Sequence, residues 1–237
     1  MDYFYCPLEN ISGNSITIDS DEFSHLTHVM RKKTGDEIRV VDGKGTAYDV
    51  RLKEIKKKTA AGIILKSYKN HNEPEITVTL GVAILKNPSK FDFLVEKVSE
   101  LGVKEIVPLH TERTIPSHAK VDRWQKLALA AMKQSCRSYL PRVREMVSLY
   151  DFLGEKRMYD IKLIAHEQEE GESLIQKFST DEKRSIVVLI GPEGGFSDDE
   201  INRCLAAGYK QIYFGARRLR TETAAIVAAA MLIVSSF

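Results

Sequence analysis

The residues best equipped for chemistry fall in two stretches, residues 186–195 (IVVLIGPEGG) and residues 214–234 (FGARRLRTETAAIVAAAMLIV). In the first, a run of apolar, mostly β-branched residues leads into Gly191, Gly194 and Gly195, where a missing side chain allows a sharp turn and close approach to a ligand. Neither Gly-x-Gly-x-x-Gly nor a Gly-Lys-Ser/Thr ending is present, and the Glu193 carboxylate would repel a phosphate. A ligand carrying a positive charge or ribose hydroxyls suits this loop better. S-adenosylmethionine has both; a structural tight turn is the alternative, since glycine clusters also punctuate ordinary loops. The second stretch sets three arginines, Arg217, Arg218 and Arg220, ahead of Thr221, Glu222 and Thr223 and a wholly apolar run.

Such residues need a scaffold that presents two loops together. Residues 186–190 read as a strand covered on both faces, Ser197-Asp198-Asp199-Glu200 has the form of a capping box, and Gly208 stands where the ensuing helix would end. Residues 211–214 read as the next strand and 215–223 as its loop. Residues 224–234 contain no polar side chain and are too few to cross a bilayer, so the helix they form should be buried on every face. That requires a second covering surface, from this chain or from another subunit.

Upstream, residues 76–85, 105–109 and 161–165 read as strands. A helix opened by Asn87-Pro88 runs to Leu101 and stops at Gly102, and further helices are expected over 121–139 and 172–178. This alternation predicts an α/β domain with a largely parallel sheet and helices on both faces. The first seventy residues differ: short strands at 15–18, 37–41, 46–55 and 59–68, a hairpin signal at Asp42-Gly43-Lys44-Gly45 and one helix over 21–32 suggest a small β-barrel. Residues 68–74 are polar, end in Pro74 and read as a linker.

The 237 residues carry a net charge of only +2 and 43% hydrophobic residues, the composition of a globular protein. Residues 113–144 nevertheless hold eight basic residues against one acid, Asp122. Arg123, Lys126, Lys133 and Arg137 are spaced to share one side of a helix and, with Arg31 and Arg142, form a candidate phosphate-binding surface; a solvated helix face is the alternative. Cys6, Cys136 and Cys204 are odd in number and far apart, which indicates neither a disulfide framework nor a metal site. The opening residues lack the basic start and apolar stretch of a secretory signal, so a cytoplasmic protein is expected.

The pair GPEGGFSDDEI and FGARRLRTETAAIVAAAMLIV resembles the C-terminal signature of the SPOUT class of methyltransferases, and in particular the RsmE family, which methylates N3 of a uridine in small-subunit ribosomal RNA. Residues 23–50, 95–114 and 122–143 also match that family's pattern, so the resemblance covers nearly the whole chain. It implies a knotted SPOUT-type parallel sheet at 71–237 preceded by a PUA-like RNA-binding barrel at 1–70, with the last helix threaded under the loops at 189–195 and 214–223 and packed in a homodimer. It further implies S-adenosylmethionine as donor, 16S ribosomal RNA or the small ribosomal subunit as substrate, and no metal.

For such a reaction Arg220 is the first candidate for holding the developing uracilate or a nearby phosphate through its fixed charge, with Arg217 and Arg218 read as RNA-facing or solvated. Glu222 either accepts a proton, if burial raises its pKa, or caps the last helix. The resemblance assigns the donor site to backbone groups of Ile190, Gly191, Glu193, Gly194, Phe214, Gly215 and Leu219. His166, just after a strand and level with the two loops, either lines the same pocket through its backbone or is structural, and Thr221 and Thr223 either bind the ligand through their hydroxyls or cap the helix. A related knotted enzyme acting on ribose 2′-hydroxyls or on tRNA, or an RNA-binding protein without catalysis, are the competing readings.

Overall fold

The computed structural model describes residues 3–166, 172–173 and 184–234. Contacts divide the chain into two compact units, Met1–Glu73 with Met132–Leu140, and Pro74–Ala131 with Pro141–Phe237. The division falls within the polar linker, between Glu73 and Pro74. It also moves residues 132–140 into the first unit, where a single boundary after residue 70 leaves them in the second.

In the first unit, strands β1 (Tyr3–Tyr5), β2 (Ile11–Ser12), β3 (Ser15–Ile18), β4 (Glu37–Val41), β5 (Thr46–Ile55) and β6 (Ala60–Lys69) make one sheet. Its order is β1-β4-β5-β6-β3-β2, parallel between β1 and β4 and antiparallel elsewhere. Alternate residues point inward, so Phe4, Ile16, Ile18, Ile38, Val40, Val50 and Leu52 share one core. Gly62 is required where β5 and β6 meet, because a Cβ there would stand 2.4 Å from Val50 Cγ1 and 3.0 Å from the Arg51 carbonyl. The expected helix over 21–32 is shorter: α1 (Ser20–Ser24) runs into a single wide turn at His25–Val29, and Arg31 follows with φ +50°. Phe23 and Leu26 from this segment complete the core.

The second unit is built from β7 (Thr77–Ala83), α2 (Pro88–Leu101), β8 (Glu105–His110), α3 (Val121–Gln134), β9 (Arg142–Val143), β10 (Val147–Ser148), α4 (Leu149–Gly154), β11 (Ile161–Ala165), β12 (Glu172–Ser173), β13 (Ser185–Ile190), α5 (Asp198–Ala206), β14 (Lys210–Tyr213) and α6 (Thr221–Val234). Every strand pair is parallel, in the order β10-β8-β7-β13-β11-β14-β12 with β9 beside β8. Period-two alternation sends Ile186, Val188 and Ile190 of β13 to a core shared with α2, α3 and α6, and Val187 and Leu189 to one shared with α4 and α5. Both faces of the sheet are therefore covered, which is why β13 reads as a continuous apolar run.

Two expectations are corrected and a third is narrowed. The helix expected over 121–139 ends at Gln134, because Cys136 takes φ +59°, a conformation that a right-handed helix excludes. Glu172 and Ser173, the first residues of an expected helix, pair with Ile212 and Tyr213 as a short strand; the rest of that helix lies outside the described residues. Finally, this chain alone does not bury α6 on every face. Ala224, Ala225, Ala228, Ala229, Leu232 and Ile233 are buried, whereas Ile226, Val227, Ala230 and Met231 are half-buried and Val234 is 63% exposed.

Candidate active site

The carboxyl ends of β11, β13 and β14 open on a cavity of about 330 Å³, the position where parallel sheets commonly bind ligands. His166, Ile190, Gly191, Gly194, Phe214, Gly215, Leu219 and Thr221, all expected at the donor site, line it. His166 arrives there because its N–H continues the sheet ladder, donating to the Ile212 carbonyl at 3.0 Å.

The glycine turn is shaped by contacts rather than by composition alone. A Cβ at Gly191 would lie 3.1 Å from both Phe196 N and Phe196 Cδ2, so this position admits no side chain without movement. Gly195 has φ +70°, and its N–H closes the turn on the Pro192 carbonyl at 2.9 Å. At Gly194, by contrast, a Cβ would meet only the Arg113 side chain, 3.4 Å from Cδ. Thr221 Oγ1 donates to the Gly191 carbonyl at 3.0 Å and joins the head of α6 to the turn. Ser197 and Glu200 form the reciprocal capping box that starts α5, and Glu200 is fully buried. Beneath them, burial and then the Glu200 charge push the Cys204 thiol up to about 12, which keeps it neutral.

This arrangement has the features of a ligand site: backbone that can approach closely, apolar walls from Ile190, Phe196 and Phe214, and a polar rim that includes Arg113, Arg217 and Arg218. Comparison with known proteins identifies the scaffold. Residues 72–233 match the RNA methyltransferase domain family, and residues 18–65 match the RNA methyltransferase PUA domain family. The chain is 30% identical to ribosomal RNA small subunit methyltransferase E of Synechocystis over 94% of its own length and 74% of that protein. The same protein of Buchnera aphidicola from Acyrthosiphon pisum is also 30% identical, with coverages of 93% and 88%. A solved structure of ribosomal RNA small subunit methyltransferase E from Neisseria gonorrhoeae bound to S-adenosyl methionine aligns with a TM-score of 0.85 at 33% identity, covering 97% of this chain and 95% of that one.

The chain belongs to the ribosomal RNA small subunit methyltransferase E family.

Within that family frame, four expected site residues lie outside the cavity lining. Glu193 Oε1 accepts from the Lys86 N–H at 3.3 Å, and Thr223 is exposed on α6. Glu222 is buried, with Oε1 3.2 Å from Lys90 Nζ on α2. That contact favours the anchoring of α6 over proton transfer. Arg220 is exposed, and its carbonyl accepts the Ala224 N–H at 2.8 Å. In sequence it lies between two lining residues, Leu219 and Thr221.

The family's basic segment also divides. Arg123 and Lys126 are exposed on α3, although Arg123 leans on Asp92 at 2.9 Å; Arg142 is exposed at 4.0 Å from Glu105, and Arg31 is exposed in the first unit. Lys133 is ion-paired with Glu22. Arg137 is corrected outright: it lies beyond the end of α3, is 3% exposed and pairs with Glu73 at 2.7 Å, so no phosphate can reach it. Trp124 is core, packed on Phe91 and donating to Asp92 Oδ1 at 3.0 Å.

Sequence reasoning missed Arg113, Phe196 and Tyr213 as lining residues. Arg113 was visible only as part of a charge run; its place depends on a contact to Gly194, 81 positions away. Among the described residues no cluster of three or more His, Cys, Asp or Glu is arranged for a metal, and no helix is long and apolar enough to cross a membrane.

Proposed function

We propose that this protein transfers the methyl group of S-adenosylmethionine to N3 of a uridine in 16S ribosomal RNA of the small ribosomal subunit. The observation that carries this reading is the cavity at the ends of β11, β13 and β14, with a glycine turn that excludes a Cβ at Gly191, in a chain of this family. Ile190, Gly191, Gly194, Phe214, Gly215, Leu219 and Thr221 would hold the donor, with His166 at one side. The bound donor supplies an electrophilic methyl on a sulfonium.

The protein's part is to orient the uracil and favour loss of its N3 proton. Arg220, adjacent in sequence to the lining residues Leu219 and Thr221, suits the anion that results, because its charge is fixed across the working pH range. Glu222, paired with Lys90, holds the helix that carries Arg220. Arg31, Arg123, Lys126 and Arg142 offer exposed charge to RNA phosphates.

The half-covered apolar stripe of α6, from Ile226 to the exposed Val234, supports a homodimer that covers it. The Thr221 bond to Gly191 and the presence of Ala224 in the cavity wall support a helix threaded beneath both loops, as in a trefoil knot. A ribosomal RNA substrate and the free cysteines Cys6, Cys136 and Cys204 support a cytoplasmic location. Incubation with small subunits and methyl-labelled donor, followed by nucleoside analysis, tests the reaction. Label in N3-methyluridine is expected. Label in a 2′-O-methylated nucleoside or in added tRNA would favour the related knotted activities, and RNA binding without transfer would leave a binding protein.

A further inference from the structure

The turn after β8 is fixed by several hydrogen bonds, and the exposed arginine that it carries bonds to the glycine loop. Thr111 N–H donates to Thr114 Oγ1 at 3.0 Å, and Thr114 N–H donates back to the Thr111 carbonyl at 3.0 Å. Between them, Glu112 N–H donates to Oε1 of the fully buried Glu200 at 2.8 Å, while Ser197 N–H takes the other oxygen at 2.9 Å. One carboxylate thus fixes both the start of α5 and the turn 111–114. Arg113 extends from this turn over the glycine loop and donates through Nη1 to the Gly194 carbonyl at 2.7 Å. It reaches the cavity wall from β8, which is separated from β13 by β7, on the side opposite β14.

We propose that Arg113 is a substrate-positioning residue whose guanidinium holds a phosphate of the target nucleotide at the mouth of the donor cavity. The assignment rests on the methyltransferase reading above. Two observations favour an RNA phosphate over another anion. Arg113 is exposed and makes no ion pair among the described residues, which leaves a guanidinium fork of the geometry that suits phosphate oxygens. In sequence the segment continues through the exposed His118 and Lys120 to Arg123, which is exposed though paired with Asp92, and Lys126 of α3, a run of charge suited to a polyanion rather than to one carboxylate. The bond to Gly194 also reduces the conformational freedom lost when a phosphate is captured.

Arg113→Gln and Arg113→Lys in the full chain test this with small subunits as the RNA source and calorimetry for donor affinity. For Arg113→Gln the half-saturating subunit concentration should rise about tenfold and the slope of log affinity against log salt should weaken by about 1. Donor affinity should stay within about twofold, and Arg113→Lys should recover the salt slope because the charge is restored. A merely structural brace for Gly194 would leave the salt slope untouched. A loss of donor affinity with RNA binding intact would overturn the proposal and give Arg113 to the donor's carboxylate; no change in either would also overturn it. If wild-type protein binds subunits through Arg113 yet transfers no methyl group, the functional reading fails while this contact stands.

Discussion

One buried and one half-buried carboxylate organise the two units, and they do so at different cost to the charges around them. Glu200 in the second unit accepts backbone N–H groups of Glu112 and Ser197, which leaves the side chains of the loops it holds facing the cavity. Glu73 in the first unit accepts the N–H groups of Ser138 and Tyr139 at 2.9 and 2.8 Å, and also takes the guanidinium of Arg137. The first builds a site and keeps its cation available. The second consumes a cation to fasten a segment. Both acids accept two backbone N–H groups, and the difference is that Glu73 also binds a guanidinium, which takes Arg137 out of reach of solvent.

Breaking the second arrangement should give the largest effect. Arg137→Ala removes a buried guanidinium and leaves the half-buried Glu73 without its counter-charge, and should cost about 3 kcal/mol in unfolding free energy, read by denaturant titration. The salt dependence of RNA binding should not move, and a weakened slope at unchanged stability would return Arg137 to the RNA surface.

Arg220→Ala sharpens the contrast from the cavity side. Single-turnover methylation should fall by roughly two to three powers of ten with donor affinity retained, the scale of one electrostatic contact made in the transition state. Raising the pH should recover part of the rate, because more of the uracil is then ionised. A rate near wild type would remove Arg220 from the mechanism.

Glu200→Gln is expected to be milder. One amide N–H₂ then faces a backbone donor, which should cost about 1–3 kcal/mol and lower donor affinity through the loosened glycine loop. Full donor affinity in a destabilised variant would show that the capping box shapes α5 alone. The smallest change is expected from Arg123→Gln with Lys126→Gln. Fold and donor binding should be unaffected, and the salt slope of RNA binding should weaken by about 1–2, according to how many phosphates they meet. An unaltered slope would make α3 a solvated face.

These contrasts follow the line between local and distant information. Asn87-Pro88, which caps α2 through Asn87 Oδ1 accepting from Ser89 N–H, and Gly102, which ends it at φ +119°, are decided by neighbours in sequence and were legible there. So were the capping box at Ser197 and the buried alternation of β13, and with them the two cavity loops. The fate of Arg137 was not, because Glu73 is 64 positions away, and neither was that of Lys133, whose partner Glu22 is 111 positions away. Counting acids within residues 113–144 therefore overstated the basic surface. Cys136 gave no warning either: a non-glycine residue at φ +59° is set by the contacts of 137–139 with Glu73. The apolar run in α6 correctly signalled a buried helix, but composition alone does not say which face the chain leaves for a partner.

The most direct test of the central claim is mass mapping of 16S ribosomal RNA from cells lacking this protein, compared with the same cells carrying the wild-type gene or Arg220→Ala. One uridine should lose its N3-methyl group, regain it with the wild-type gene and remain unmodified with the variant. A complete set of N3-methyluridines in the deletion strain, or loss of a ribose methyl group instead, would contradict the account.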